Sequence, residues 1–353
     1  MTIDCYKIEQ FYKLVNKAAF ILLIAALGTA CVKDKPVPAE TAPVNINGSN
    51  KVFIINEGNF GSGNAGVSIY DPNNGNVVED IYKSKNGNNI GDVAQSMTKI
   101  NGDYYIVVNN SGKVVICDKD FKQKGSISGF TSPRYLLQVS NQKAYVSDLY
   151  ANAVNVVNLN DNTIIRQIPI SSWTEKMVML YNKVYVAAPE RAFVYIIDAS
   201  SDLLIDSINV SENCYEIALD KNDNLIALSG SGQNDGKLSK YNAINHQFIE
   251  SINISPNASP RSLTLNKLKD TLYFIGENIC MISLSDFSNK NENFISKGNK
   301  IFYSIALNPN DGRLYVSDAL DYVQKSNIHI FDKNGVEKGS FKAGINAGNF
   351  YFE

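Results

Sequence analysis

Histidine is almost missing from this chain. Its two copies in 353 residues, His246 and His329, are too few and too isolated for a histidine-built metal site or a Ser-His-Asp arrangement. No HExxH, CxxC or paired-glutamate spacing is present, so no catalytic residue, metal site or cofactor is expected. The glycine-rich stretch SGSGQNDG, residues 229–236, lacks the lysine and the following helix of a phosphate-cradling loop. Charge of either sign is scarce: 19% of residues are charged and the net charge is −2, which excludes the electrostatic footprint of a nucleic-acid binder. Cysteine is scarce too. Cys5 and Cys31 lie in the N-terminal segment, leaving an odd set of Cys117, Cys214 and Cys280. Cys117 and Cys280 sit in apolar strand patterns and read as buried free thiols. The uncharged apolar run at residues 18–30 has 13 residues, too short to span a bilayer.

What the chain does have is apolar residues (44%), with 19 tyrosines and 16 phenylalanines. They fall in short runs. Residues 132–170 hold four of them: Leu136-Leu137, Ala144-Tyr145-Val146, Val154 to Val157, and Ile164 to Ile168. Each is too short for a helix and rich in β-formers, so the stretch predicts a four-stranded meander. The pattern recurs along residues 51–353, which divide into seven units of about 43 residues. A four-stranded unit at that period predicts an all-β, seven-bladed β-propeller. The units cover 52–82, 94–127, 132–170, 174–210, 214–254, 260–296 and 302–341. In the first, VFIIN, GVSIYD and VVEDIY read as strands, and an opening strand is missing. The end of the chain, Asn349-Phe350-Tyr351-Phe352, supplies it and closes the ring without an open sheet edge. Asn74-Gly75, Asn101-Gly102, Asp311-Gly312 and Asn334-Gly335 suit turns that need positive φ. Asp71, Asp118, Asp198 and Asp332 each close a third strand, and their repetition assigns them to turn capping.

Residues 1–30 read as a signal segment: Lys7, Lys13 and Lys17 precede the apolar run, which ends in Gly28-Thr29-Ala30-Cys31. That ending resembles a bacterial lipobox, which implies lipidation at Cys31. Residues 31–50 are polar and contain Pro36, Pro38 and Pro43, as in a flexible tether. Lys33-Asp34-Lys35 resembles the charged export signal of surface lipoproteins of gut anaerobes.

Pro133-Arg134 with Tyr145-Val146-Ser147-Asp148, and Asn310-Asp311-Gly312 with Tyr315-Val316-Ser317-Asp318, resemble the repeat phrase of YncE-like seven-bladed propellers. The opening VFIINEGNFGSGNAGVSIYDP, residues 52–72, is similar to the start of lipid-anchored surface propellers of gut anaerobes. That group includes a corrinoid-capturing lipoprotein that sits on a TonB-dependent transporter. The resemblance implies an outer-membrane lipoprotein, held by its lipid anchor alone, that takes a small ligand such as a corrinoid and hands it to such a transporter.

In a propeller the loops from strand d to a and from b to c share one face around the axial channel. Aligning the repeats places Gln95, Arg134, Glu175, Tyr215, Arg261, Tyr303 and Gly348 at the entry of the seven innermost strands. This ring is chemically mixed, unlike the recurrence expected of a purely structural repeat. On the loops, Phe60, Tyr150, Trp173, Arg191 and Tyr322 complete the candidate ligand-binding set. Aromatic residues would give flat apolar contact and the arginines would bond polar or anionic groups. Each also has a plainer role, covering the core edge or pairing with neighbouring loops. Two other readings stay open: a glycan- or protein-binding scaffold, and a propeller lyase or lactonase, which would need more acids than Glu175 at the channel.

Overall fold

The computed structural model describes residues 50–231, 236–254 and 259–353, which belong to one compact unit, Val44–Glu353. The signal segment, Cys31 and the tether up to residue 49 lie outside the described residues. Among the described residues no helix is long and apolar enough to cross a membrane.

The strands form seven four-stranded antiparallel sheets, and each sheet is one blade. Blade 3 is the template, with strands a to d at Pro133–Ser140, Lys143–Asp148, Ala153–Asn158 and Thr163–Pro169. Strand a faces the axis and strand d the rim. The second strands are buried on both faces, as in Lys183–Ala188, while outer strands such as Leu203–Asn209 are largely exposed. The difference follows from packing: a middle strand is sandwiched between two neighbouring blades, so successive residues are apolar and strict alternation is lost. Seven hydrophobic clusters each join two adjacent blades. One sets Tyr105 and Val114 of blade 2 against Leu136 and Val146 of blade 3; another sets Ile328 of blade 7 against Val52 of blade 1. A fully buried Val or Ile side chain contributes roughly 1.5–3 kcal/mol. Cys117, Cys214 and Cys280 are all buried free thiols.

Blade 1 is built from both ends of the chain. Ala347–Phe352 forms its strand a and pairs antiparallel with Val52–Asn56, setting Ile54 opposite Phe350. Its outer edge departs from expectation. Only Val77–Val78 of VVEDIY is a strand, and Ile81–Asn86 is a short helix. Asp80 caps that helix by accepting from the Lys83 amide at 3.0 Å, and Gly87 ends it in the left-handed region at φ 77°. The helix packs Ile81 and Tyr82 into the cluster between blades 1 and 2, a place a further strand would not fill. In blade 6 the polar KNENFI stretch, Lys290–Ile295, supplies the outer strand that its sequence did not advertise.

The turn acids cap as expected. Asp198 accepts from the amides of Ser200 and Ser201, and Asp332 from those of Asn334 and Val336. The Asp of the Tyr-Val-Ser-Asp phrase works at the opposite end of its blade: the Asp148 carboxylate gathers the amides of Thr131, Ser132, Tyr150 and Ala151. It thereby ties a d–a loop to a b–c loop on the channel face.

Phe350→Ala is expected to lower the free energy of unfolding by about 3 kcal/mol in urea titrations, because it empties a closed core at the ring junction. A loss below about 1 kcal/mol would mean that the terminal strand is not integral to the ring.

Candidate functional site

The innermost strands enter the channel through β-bulges. The register shifts between Ala94 and Ser96, Pro133 and Leu136, Arg261 and Thr264, and Phe302 and Ser304. In blade 1 the same shift lies opposite Gly348. In blade 4, Ala187 alone bonds both Glu175 and Lys176, accepting from one amide at 3.0 Å and donating to the other's carbonyl at 2.9 Å. A bulge sets two residues against one and re-aims side chains, so consecutive residues reach the axis.

The expected ring assembles in two halves. On one side the Arg134 Nε lies 3.0 and 2.9 Å from the two Glu175 oxygens, and its Nη1 donates to Gln95 Oε1. Glu175 is buried and Arg134 half-buried. Burial works against the Arg134 charge, but the Glu175 carboxylate together with Tyr135 and Glu57 outweighs it, and the guanidinium is held more firmly protonated than usual. On the other side Tyr303 donates to Glu57 Oε2 at 2.6 Å and meets Tyr322 edge-on at 5.9 Å. Glu57 comes from the b–c loop of blade 1 and fills the space that Gly348 leaves: a Cβ on Gly348 would collide with Glu57 Oε1. Burial pushes the Glu57 carboxyl up, against the Tyr303 hydrogen bond and Arg134. Arg261 differs from Arg134. It donates to the carbonyls of Phe302 at 2.7 Å and Ser259 at 3.2 Å, and no carboxylate pairs with it among the described residues. Burial lowers its pKa.

One step deeper is a second layer outside the expected ring. Hydroxyls latch neighbouring inner strands together: Ser96 donates to the Arg134 carbonyl and Ser304 to the Ala347 carbonyl, both at 2.7 Å, and Ser262 to the Ile305 carbonyl at 3.2 Å. At the equivalent positions of blades 3, 4 and 5 stand Tyr135, Lys176 and Glu216 instead. The Lys176 ammonium lies 4.3 Å from the Tyr135 ring centre. Burial raises Glu216, opposed by Lys176. The expectation of a single ring acid is therefore corrected: Glu57 and Glu216 join Glu175 in the channel.

Two cavities open at the mouth. One, of about 540 Å³, is lined by Glu57, Phe60, Gln95, Arg134, Tyr150 and Tyr303 among others. The second, of about 430 Å³, is lined by Arg134, Glu175, Tyr215, Glu216 and Arg261. They share Arg134 as a wall, and a third space of about 300 Å³, bordered by Glu57 and Arg261, reaches Lys176 and Asn349. Of the eleven predicted residues, eight line the two mouth cavities. Trp173, Arg191 and Tyr322 do not. Trp173 packs edge-on against Tyr150 at 5.9 Å, Arg191 donates to the Ser171 carbonyl at 3.0 Å, and Tyr322 buttresses Tyr303.

Glu57 gives a pH signature. Below the ordinary carboxylate range it is protonated in both folded and unfolded chains. As pH rises, the unfolded chain loses the proton first, so stability is lost through the raised folded value. Glu57→Gln should flatten this acidic-to-neutral decline in urea titrations across pH; an unchanged slope would contradict the burial of an ionisable Glu57. Gly348→Ala, which displaces the Glu57 carboxyl, is expected to cost about 1–3 kcal/mol by the same measurement.

Similar solved structures share the fold alone. A quinonprotein alcohol dehydrogenase-like protein from Bacteroides thetaiotaomicron has a TM-score of 0.69 at 16% identity, covering 86% of this chain and 78% of that one. A functionally unknown protein from Desulfotomaculum acetoxidans has a TM-score of 0.63 at 13% identity, covering 86% and 99%. Hydrazine synthase from Kuenenia stuttgartiensis has a TM-score of 0.54 at 15% identity, covering 68% and 76%. No curated protein matches the chain. Residues 50–352 match the family described as a domain of unknown function (DUF5074), and the chain belongs to that family.

Proposed function

We propose that this propeller is a lipid-anchored surface binding protein, not an enzyme, that captures a corrinoid at the channel mouth and passes it to a TonB-dependent outer-membrane transporter. The observation that carries the binding reading is the pair of mouth cavities, of about 540 and 430 Å³, which between them are lined by eight of the eleven expected residues.

The surroundings suit an amphipathic ligand. Phe60 is 78% and Tyr150 58% exposed at the rim, large apolar surfaces kept in water. The floor is polar and held in place by the Arg134–Glu175 and Tyr303–Glu57 pairs. A corrinoid is a broad, flat ring fringed with amides and carries a phosphate in its tail, so it offers polar groups to the floor and a face to the rim aromatics. The likeness of residues 52–72 to lipid-anchored surface propellers of gut anaerobes, a group with a corrinoid-capturing member, the YncE-like repeat phrase and the lipobox-like ending at Cys31 support the finer reading. The preformed ion pairs favour binding over turnover: the Arg134 and Glu175 charges are spent on each other.

Residues 32–353 mixed with cyanocobalamin and desalted are expected to carry near-stoichiometric corrinoid absorbance. Tyr150→Ala and Tyr215→Ala should each weaken binding by about tenfold, or about 1.4 kcal/mol, in titration calorimetry. A colourless protein with no thermal shift on adding corrinoid would remove that ligand and turn attention to polysaccharides, tested by retention on polysaccharide gels.

A further inference from the structure

Arg261 also lines a separate cavity of about 420 Å³ between blades 6 and 7, shared with Lys297, Lys300 and Glu277. The turn after the outer strand of blade 6 brings the two lysines there. The Lys300 amide donates to the Lys297 carbonyl at 2.9 Å, Gly298 takes φ 54°, and the Lys297 amide donates to Asn278 Oδ1 at 3.1 Å. Three cationic side chains thus face one carboxylate. Among the described residues none of the three cations has a salt-bridge partner, in contrast to Arg134, Lys143 and Lys240 of other blades.

Three like charges facing a single carboxylate still repel, and the cost rises where water is partly excluded. A surface lysine escapes by swinging into solvent. Arg261 cannot, because its guanidinium is fixed by the Phe302 and Ser259 carbonyls. Carbonyls orient a guanidinium without neutralising it, and its remaining N–H groups point to a bidentate oxyanion.

We infer that Arg261, Lys297 and Lys300 form an anion site between blades 6 and 7 that takes a phosphate group. The cavity is much larger than one phosphate, so the group is carried on an organic molecule. The inference does not depend on the ligand being a corrinoid: Arg261 also borders the mouth, but Lys297 and Lys300 line this cavity and not the mouth cavities. It requires only that this cavity accept a phosphate.

The test is calorimetry at low ionic strength with inorganic phosphate, pyrophosphate and phenyl phosphate as separate probes. Saturable binding is expected, tightest for phenyl phosphate and weakening as salt is added. Equal binding of inorganic phosphate would keep the site and assign it to the free ion. Arg261→Met and the double change Lys297→Met with Lys300→Met should each weaken binding at least about tenfold, and Arg261→Lys should fall between. Lys124→Met, at a lysine paired with Asp103, serves as the charge control and should change nothing. Absence of saturable binding, or equal binding by the double lysine variant and the wild type, overturns the site. If Arg261→Met does not fold, the lysine pair and Arg261→Lys decide. Cyanocobalamin binding is scored separately, so loss of one reading leaves the other standing.

Discussion

The channel mouth depends on the pairing of the two ends of the chain. When Ala347–Phe352 joins Val52–Asn56 as the innermost strand of blade 1, the ring loses its free sheet edge. The same pairing brings Gly348 against Glu57 and Asn346 against Gly58, residues separated by almost the whole sequence. It also sets Tyr303 of blade 7 within hydrogen-bond reach of Glu57. Without closure the larger cavity would lose a wall and its acid, and the apolar cluster between blades 7 and 1 would lie open.

Charge is distributed unevenly around the axis. Blades 2 to 4 neutralise their cation internally, through the Gln95–Arg134–Glu175 chain. Such a pair, partly buried and satisfied on several sides, fixes geometry more than it adds stability. Blades 6 and 7 leave Arg261 held only by carbonyls. Blades 1, 2, 6 and 7 carry Asn or Ser at the second channel layer, which crosslinks strands, and blades 3 to 5 carry Tyr135, Lys176 and Glu216, which crowd titratable groups together. A propeller repeats its backbone closely, so these departures from repetition are where the chemistry lies.

Much of the site was legible because the repeat makes positions equivalent. Counting along each unit to the entry of strand a found Gln95, Arg134, Glu175, Tyr215, Arg261 and Tyr303, all of which line the mouth cavities. The misses in the second channel layer have one cause. A regular strand shows only alternate residues to one side, and the bulges put two consecutive residues on the axis, so Tyr135, Lys176 and Glu216 were read past. Glu57 lay in a stretch already marked as a loop, and only the glycine at the seventh ring position hinted that another side chain would occupy the gap. Ile81 and Tyr82, the start of the Ile81–Asn86 helix, read as strand with Val77 and Val78 because all four are β-formers, although Asp80 and Gly87 mark the helix ends.

The sequence alone determined the blade number, the strand order and the closing strand, because hydrophobic period and turn residues are local properties that recur seven times. It also determined that the ring residues differ from blade to blade. Which of them pair, and which stand free, was decided only by the tertiary structure. Arg134 and Arg261 both follow a proline at equivalent positions, yet one meets Glu175 and the other two carbonyls. The difference lies in what the neighbouring blade presents across the channel, a separation of some 40 residues that no local pattern encodes.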